Sequence, residues 1–492
     1  MGDCVAKIKG NREMAFNPSK SVKRKIAVVG AGISGLSAAL RLVELCPDVQ
    51  ISHIDKRSRA GGVLNTQIID GFEVEQSADN FITTVPWGLD LCRRLGLEED
   101  VVTTTSKHRQ TFIVWKNRMH KLPDGFMMMA PTKWYPMAIT PLLTPWGKLR
   151  AAMEYFIPAK KEDSDECMED FAVRRLGREA YERLIEPLVS GVYAADMKRL
   201  SLLATLPRFR EMEKQYGSLI RAMRKNRSAS RKQPTQSGPR YNMFVTVRGG
   251  LSRIVERIVE RMPANALHLS TEVTALRHHE TGWQLEWNTA GQAFSDTFDA
   301  VILAGESHNM AKLLESADLQ ALAKPLGEIE HTGTAILTVA YRRDQVGHKL
   351  DGMGAVVPAA EKSPILALSF SNEKYPHRAP SDDYVLLRIF AGGARNPEMV
   401  TSSDEALRDV LLEKTQAILK IKGEPQMITI SRWPNTMPQY HIGHLERVAT
   451  IDQEAQKIPT LALAGNAFTG VGVPQCIHSG EQAAEKVMNA FS

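Results

Sequence analysis

The chain has 492 residues, a hydrophobic fraction of 43%, five cysteines and a net charge of +6. That is the composition of an ordinary soluble protein, with length for about two to four domains, and its mild basicity suits an anionic surface or an acidic substrate. It argues against nucleic acid, because no basic run is interleaved with aromatics; the scattered Cys4, Cys46, Cys92, Cys167 and Cys476 argue against a disulfide framework or a zinc site and point to a reducing, cytoplasmic compartment.

Residues 1–24 are polar and basic without the apolar core of a secretory signal, and read as a disordered leader. The next stretch, KIAVVGAGISGLSAALRLVELCPDVQISHIDKRSRAGG from Lys25 to Gly62, reads as strand, glycine turn, helix, strand. Gly30, Gly32 and Gly35 form a G-x-G-x-x-G set: one for the tight turn, one for close approach of backbone to a pyrophosphate, one for packing of helix on strand. The helix would place Leu36, Ala39, Leu40 and Val43 on one face and offer its amino end to phosphate. Asp55 ends the second strand, 20 residues after Gly35, where a carboxylate accepts from a ribose. Lys56, Arg59 and the pair Gly61 and Gly62 follow as further candidate cofactor contacts. A hairpin turning at Asp70-Gly71 and an amphipathic helix in PWGLDLCRRLGLEED come next.

From Gly125 to Gly147 the sequence GFMMMAPTKWYPMAITPLLTPWG carries Lys133 as its only charge. Pro131, Pro136, Pro141 and Pro145 exclude a transmembrane helix. The aromatic and apolar set, with Trp134, Tyr135 and Trp146, is either an interfacial membrane attachment or the wall of an apolar pocket. Residues 98–185 therefore read as a mostly helical, membrane-association subdomain, and Pro187 and Gly191 interrupt the chain just after it. The segment 224–240, RKNRSASRKQPTQSGPR, reads as a basic flexible loop.

VTVRGGLSRIVERIVERM and the apolar strand FDAVILAGE (Phe298 to Glu306) return the chain to the first sheet. Residues 327–395 alternate as an antiparallel sheet, followed by a helix at 403–420. TLALAGNAFTGVGVPQCIHSGEQAAEKVM then reads as strand, glycine loop and helix. The expected α/β architecture is a Rossmann-like FAD-binding domain built from the discontinuous segments 25–97, 241–325 and 448–492, with an antiparallel-sheet substrate domain from 186–223 and 326–447. FAD is favoured over NAD because several segments embrace the cofactor. Gly465, Gly470 and Gly472 leave room for a flat ligand, and the helix after Pro474 points its amino end at negative charge.

With these residues in view, the chain resembles the oxygen-dependent protoporphyrinogen oxidases of bacterial type, within the flavin amine oxidase superfamily. The resemblance runs from about Lys25 to Met488. It rests on KIAVVGAGISGL, GFEVEQSADNFIT, PWGLDLCRRLGL, IEPLVSGVYAADMKRLSLLATLPRF, DGMGAVVP, LSFSNEKYPHRAP and LAGNAFTGVGVPQCIHSG. It implies FAD held by Gly30, Gly32, Gly35, Asp55, Gly61, Gly62, Val273, Gly465 and Val473, with Asn466 beside them. It implies a tetrapyrrole between sheet and flavin, with Leu350 and Phe370 as ring contacts and Gly191 in a loop facing the substrate. The implied reaction is six-electron oxidation of protoporphyrinogen IX in heme biosynthesis, in three flavin rounds, with dioxygen reduced to hydrogen peroxide. Coproporphyrinogen III oxidation, or an amine oxidase or desaturase on the same fold, are the alternatives. No metal is implied, a homodimer is compatible, and a peripheral place on the cytoplasmic membrane face goes with the attachment reading. Some plant members carry an arginine after the LGL motif to pair a propionate; here the residue is Glu98, so another cation must serve. Of the remaining polar candidates, His441, His444 and His478 read as loop or capping residues.

Overall fold

The structure, a computed structural model, describes residues 24–105, 110–230 and 243–492, without the side chains of 226–230. The expected leader, apart from Arg24, and residues 231–240 of the expected loop lie outside the described residues.

Three stretches distant in sequence form one five-stranded parallel sheet. Its order is Leu267–His268, Gln50–Ile54, Lys25–Val29, Ala300–Leu303, Leu461–Leu463. The central strands read as unbroken apolar runs because both faces are covered: Ile26, Ala27, Val28, Val301 and Ile302 are wholly buried. The helix Ile33–Leu45 covers one face and packs along Val473–Asn489. They approach so closely that a Cβ on Gly480 would sit 2.0 Å from the Ser34 carbonyl oxygen. The expected hairpin is present, Thr66–Ile69 against Phe72–Glu75, with both Asp70 and Gly71 at positive φ, as a two-residue primed turn requires.

The second sheet has seven strands, ordered Met427–Pro438, His331–Arg342, Tyr384–Gly392, Ile365–Phe370, Gly354–Val356, Thr111–Trp115, Arg118–Lys121. Its last two strands come from the stretch expected to be mostly helical; Phe112 and Val114 alternate inward with Ile113 on the opposite face, the period of a strand. One face is closed by the helix Asp404–Leu419, whose Leu407, Leu411 and Leu419 pack on Leu337, Val339, Leu387 and Ile389. The other face turns to the half built on the parallel sheet, where Ala340 and Leu386 meet Phe72 and Val74 of the hairpin.

A helical body sits beside this sheet around Phe171, Leu184 and Phe209. Two sequence expectations change here. Pro187 does not interrupt the chain: a π-helical turn at Tyr181–Ile185 leads directly into the helix Glu186–Tyr193, where Pro187 occupies the first turn and needs no N–H partner. The basic segment is helical at its start, because Leu219–Ser230 is one helix anchored by Leu219, Ile220 and Met223. No helix among the described residues is long and apolar enough to cross a membrane.

The helical body is tied together by buried charge. Glu154 and Arg175 are both fully buried; Arg175 Nε donates to Glu154 Oε1 at 2.9 Å, and Ser218 Oγ and the Leu219 amide donate to the same carboxylate at 2.6 and 2.8 Å. Replacing Glu154 by alanine leaves the Arg175 guanidinium buried with its nearest acid removed. Denaturant unfolding should show a loss of about 3–5 kcal/mol, partly recovered in the double variant Glu154→Ala/Arg175→Met; a loss below about 1 kcal/mol would contradict this account of the body.

Candidate functional site: a dinucleotide cleft and a two-row sheet face

The glycine turn at the end of Lys25–Val29 is built by steric necessity. Gly30 has φ +104°, and a Cβ there would lie 2.3 Å from the Ala304 carbonyl oxygen; a Cβ on Gly35 would lie 1.8 Å from the Gly30 oxygen. Behind the turn, burial pushes the His53 imidazole down to about 4, so the neutral ring donates from Nε2 to the Gly30 carbonyl at 2.9 Å. Asp55 clamps the turn from the next strand: Oδ2 accepts from the Ala31 amide at 2.6 Å and Oδ1 from the Arg57 amide at 2.7 Å.

Along the carboxyl ends of these strands runs a cavity of about 580 Å³. Gly30, Gly32, Asp55, Lys56, Gly61, Gly62, Val273, Gly465 and Asn466 all line it. Three expected contacts do not. Gly35 serves helix packing, Arg59 turns inward to donate to the carbonyls of Ala60, Gly62 and Leu64, and Val473 is buried against Ile33 and Ile477 at the start of its helix. The cavity also takes in Ser34, Arg57, Gly305, Glu306 and Thr436, which sequence reasoning missed. Burial alone would raise the Glu306 carboxyl, but its own amide and Arg57, 3.6 Å away, hold it below the usual range. A signal for Glu306 was present: it comes shortly after the parallel strand Ala300–Leu303, as Asp55 follows Gln50–Ile54. The floor fits a dinucleotide, because a Cβ on Gly32 or Gly305 would meet nothing within 4 Å; bare backbone there faces open space wide enough for phosphate oxygens.

Beyond Thr436, the sheet face that turns to the half built on the parallel sheet carries two rows of side chains in cross-strand register. Val356, Ala367, Phe390 and Ile336 form an apolar row, in which the first three remain half-buried. The next row is polar: Ser369, Arg388 and Thr338, all buried. The helix Glu186–Tyr193 stands opposite the apolar row, and a Cβ on Gly191 would lie 3.3 Å from Val356 Cγ1.

The ring contacts expected from the resemblance are corrected by this geometry. Leu350 and Phe370 are exposed to neither cleft nor solvent; both pack in the core under Asp404–Leu419, on the opposite face of the sheet. Successive strand residues point to opposite faces, so Phe370 is turned toward the helix Asp404–Leu419 while Ser369 and Phe390 lie on the other face of the sheet. Gly191 is exposed and lies within a helix, not the expected loop, because the π-turn carries the helix past Pro187. Glu98 sits exposed on the short turn Glu98–Asp100 and does not line the cavity.

At the polar row, three cations meet three carboxylates. Lys374 Nζ donates to Asp79 Oδ2 at 3.0 Å; Arg378 Nη2 donates to the Asp79 carbonyl at 2.6 Å and lies 3.7 Å from Glu75, while its Nε lies 3.5 Å from Glu73. Arg388 donates from Nη2 to the Ser77 carbonyl, and its Nη1 stands 3.6 Å from Asp79. Burial would raise Asp79, but Lys374, Arg388 and Arg378 hold it well below the usual carboxylate range, whereas burial pushes Glu75 up to about 7. Arg388 Nε and Ser369 Oγ have no hydrogen-bond partner among the described residues, so the cluster keeps unused donors on this face of the sheet.

A glycine-floored cleft at the carboxyl edge of a parallel sheet, embraced by segments from across the chain, defines a dinucleotide-binding oxidoreductase. The profile of the flavin-containing amine oxidoreductases matches residues 33–488, and the chain belongs to that family, with FAD as its cofactor. It is similar to the coproporphyrinogen III oxidase of Bacillus subtilis (strain 168), 32% identical over 94% of this chain and 97% of that one. It is also similar to protoporphyrinogen oxidase 2, chloroplastic/mitochondrial, of Arabidopsis thaliana, 26% identical over 95% and 94%. A crystal structure from Exiguobacterium sp. 255-15, provisionally called a protoporphyrinogen oxidase, superposes with a TM-score of 0.83 at 29% identity, covering 96% of this chain and 100% of that one.

The glycines separate two roles in one motif. Gly35→Ala should destabilise the fold itself, lowering the apoprotein's unfolding midpoint, because its Cβ collides with fixed backbone. Gly32→Ala should leave that midpoint within about 0.5 kcal/mol while weakening FAD binding at least tenfold, since its Cβ enters only the open cleft. Equal effects of the two on fluorescence-titrated FAD affinity and on unfolding would refute the assignment.

Proposed function

We propose that this chain oxidises a porphyrinogen to the porphyrin in heme biosynthesis, with dioxygen as final acceptor and hydrogen peroxide as product. Bound FAD supplies the hydride acceptor for each two-electron round, and the full oxidation takes three rounds. The chain's own part is orientation. A flat macrocycle fits against Ala367 and Phe390 of the apolar row, at whose end Gly191 closes on Val356, and this places a methylene bridge for hydride loss. Because the product gains aromaticity, the reaction asks for no Ser, His, Asp constellation, and the pyrrole proton can pass to solvent.

The observation that carries the reading is the pairing of the two rows: an apolar surface for the ring beside buried cations for its carboxylates. Sequence resemblance placed protoporphyrinogen IX first. The names of the bacterial relatives favour coproporphyrinogen III, whose four carboxylates outnumber the two of protoporphyrinogen. Arg388 and Lys374 take the part that Glu98 cannot. Anaerobic mixing of the FAD-loaded protein with each porphyrinogen tests this: both should bleach the flavin, coproporphyrinogen III at lower half-saturating concentration. Arg388→Met should raise that concentration about tenfold, the worth of one charge-assisted contact. Bleaching by an amine or a polyene but by neither porphyrinogen would overturn the reading.

Membrane attachment also stands as a proposal, in sharper form. The apolar stretch divides: Phe126, Met129, Leu142 and Leu143 are core, whereas Tyr135, Trp146 and Phe156 are 74%, 79% and 78% exposed, with Ile139, Leu149 and Met153 alongside. The basic helix Leu219–Ser230, with Arg221, Arg224 and Lys225 exposed, packs against the turn Met153–Tyr155 and borders this surface. Aromatic and cationic groups together suit an anionic lipid interface on the cytoplasmic side. The double variant Trp146→Glu/Phe156→Glu should lose cosedimentation with phosphatidylglycerol vesicles and keep flavin reduction in detergent; unchanged lipid binding would exclude this surface.

A further inference from the structure

Tyr440 follows the strand Met427–Pro438 of the seven-stranded sheet and is 2% exposed. Its ring stacks on the His444 imidazole, with centroids 4.1 Å apart and planes 13° apart. The phenol reaches the loop that lines the cofactor cavity and touches it twice. It donates to the Asn466 carbonyl, and it accepts from the Gly470 amide at 2.9 Å. Between those points, His444 Nε2 donates to the Phe468 carbonyl at 2.9 Å. The loop is gripped further on its first residues: Asn466 Nδ2 donates to the Thr436 carbonyl at 3.1 Å, and the Gly465 amide donates to Ser479 Oγ at 3.1 Å. Burial pushes the Tyr440 hydroxyl up, so it keeps the proton it donates, and burial pushes His444 down, so the ring stays neutral.

Its main chain faces the other way. The Ser201 amide donates to the Tyr440 carbonyl at 2.8 Å, and Leu200 forms an isolated bridge with His441. Residues 440 and 441 therefore join the helical body, which carries the Gly191 wall, to the loop 465–470. A phenol placed merely to fill a core needs one partner. This one bridges a carbonyl and an amide four residues apart, and thereby fixes the span of a loop whose glycines Gly465 and Gly470 have φ +145° and +155° and would otherwise be free to relax.

We propose that Tyr440, seconded by His444, is a positioning residue for the flavin: its hydroxyl sets the shape of the loop Gly465–Gly470 and, through it, FAD affinity and reduction potential. The loop leads into the amino end of Val473–Asn489, where the helix dipole favours added negative charge. A loop that relaxes moves that end, and the reduced cofactor, which carries the extra charge, loses more than the oxidised one. The inference rests on FAD in the cavity and is independent of which substrate is oxidised.

Tyr440→Phe removes the hydroxyl alone and keeps the stacked ring. Titrating the apoprotein with FAD, followed by flavin fluorescence, should give a dissociation constant raised about tenfold. The two-electron potential of the loaded protein should fall by about 30 mV, a tenfold change for a two-electron couple, with the apoprotein's unfolding midpoint little changed. Wild-type affinity and potential in this variant would overturn the proposal, as would a lowered unfolding midpoint with both flavin readouts unmoved. If Tyr440→Phe fails to fold, His444→Ala removes the grip on Phe468 and should shift both readouts in the same direction; wild-type values there would equally overturn it. Failure of wild-type apoprotein to bind FAD would instead strike at the cofactor assignment.

Discussion

The parallel pairing of Lys25–Val29 with Ala300–Leu303, and of that strand with Leu461–Leu463, is the constraint on which the rest of the molecule hangs. Buried strands of a parallel sheet must satisfy every amide from a neighbour, and no hairpin can join them. The chain therefore leaves after each strand and returns from far away. The three exits fall at one edge of the sheet, where Gly30, Gly305 and Gly465 expose bare backbone to one cleft. The chain between the returns is free to become a second sheet and a helical body, provided that both close over that edge.

They close over it through two kinds of contact. Apolar packing of Phe72 and Val74 on Ala340 and Leu386 is modest, a handful of buried side chains. The charge cluster around Asp79 is more demanding: two carboxylates of the hairpin and the aspartate after it face Lys374, Arg378 and Arg388 with almost no water. Desolvating such groups costs nearly as much as their attraction returns, so the cluster specifies alignment of the two halves more than it stabilises them. The alignment matters because the polar row continues directly into the apolar row on which a ring would lie.

Legibility in the sequence follows the range of the interactions. The glycine turn, Asp55 and the hairpin at Asp70-Gly71 are local: sterics of a few residues decide them, and the sequence pattern is the physical cause. The placement of Phe370 was not legible, because which face a strand residue occupies depends on register with partners, and the bulge between Ile365 and Ala367 resets that register for every residue after it; Leu350 lies in the loop before Gly354–Val356, and its burial depends on how that loop packs on the core. The stretch 125–147 was legible as unusual in composition but not in how it divides. Two short helices, Trp134–Ile139 and Pro145–Ala152, turn half of its apolar residues inward and half outward, so the core reading and the surface reading each describe part of it. Tyr440 left no signal at all, since its partners lie 26 and 30 residues further on and are backbone atoms.

The central claim is that a flat, carboxylated ring lies against Ala367 and Phe390, beside the point where Gly191 closes on Val356, with its acid groups toward Arg388. A crystal structure of the FAD-loaded protein with coproporphyrin III bound tests it most directly. The account predicts the macrocycle in van der Waals contact with Phe390 and Ala367 and a propionate within hydrogen-bond distance of Arg388 or Lys374. A porphyrin seated elsewhere, or seated there with its propionates turned away from both cations, would contradict it.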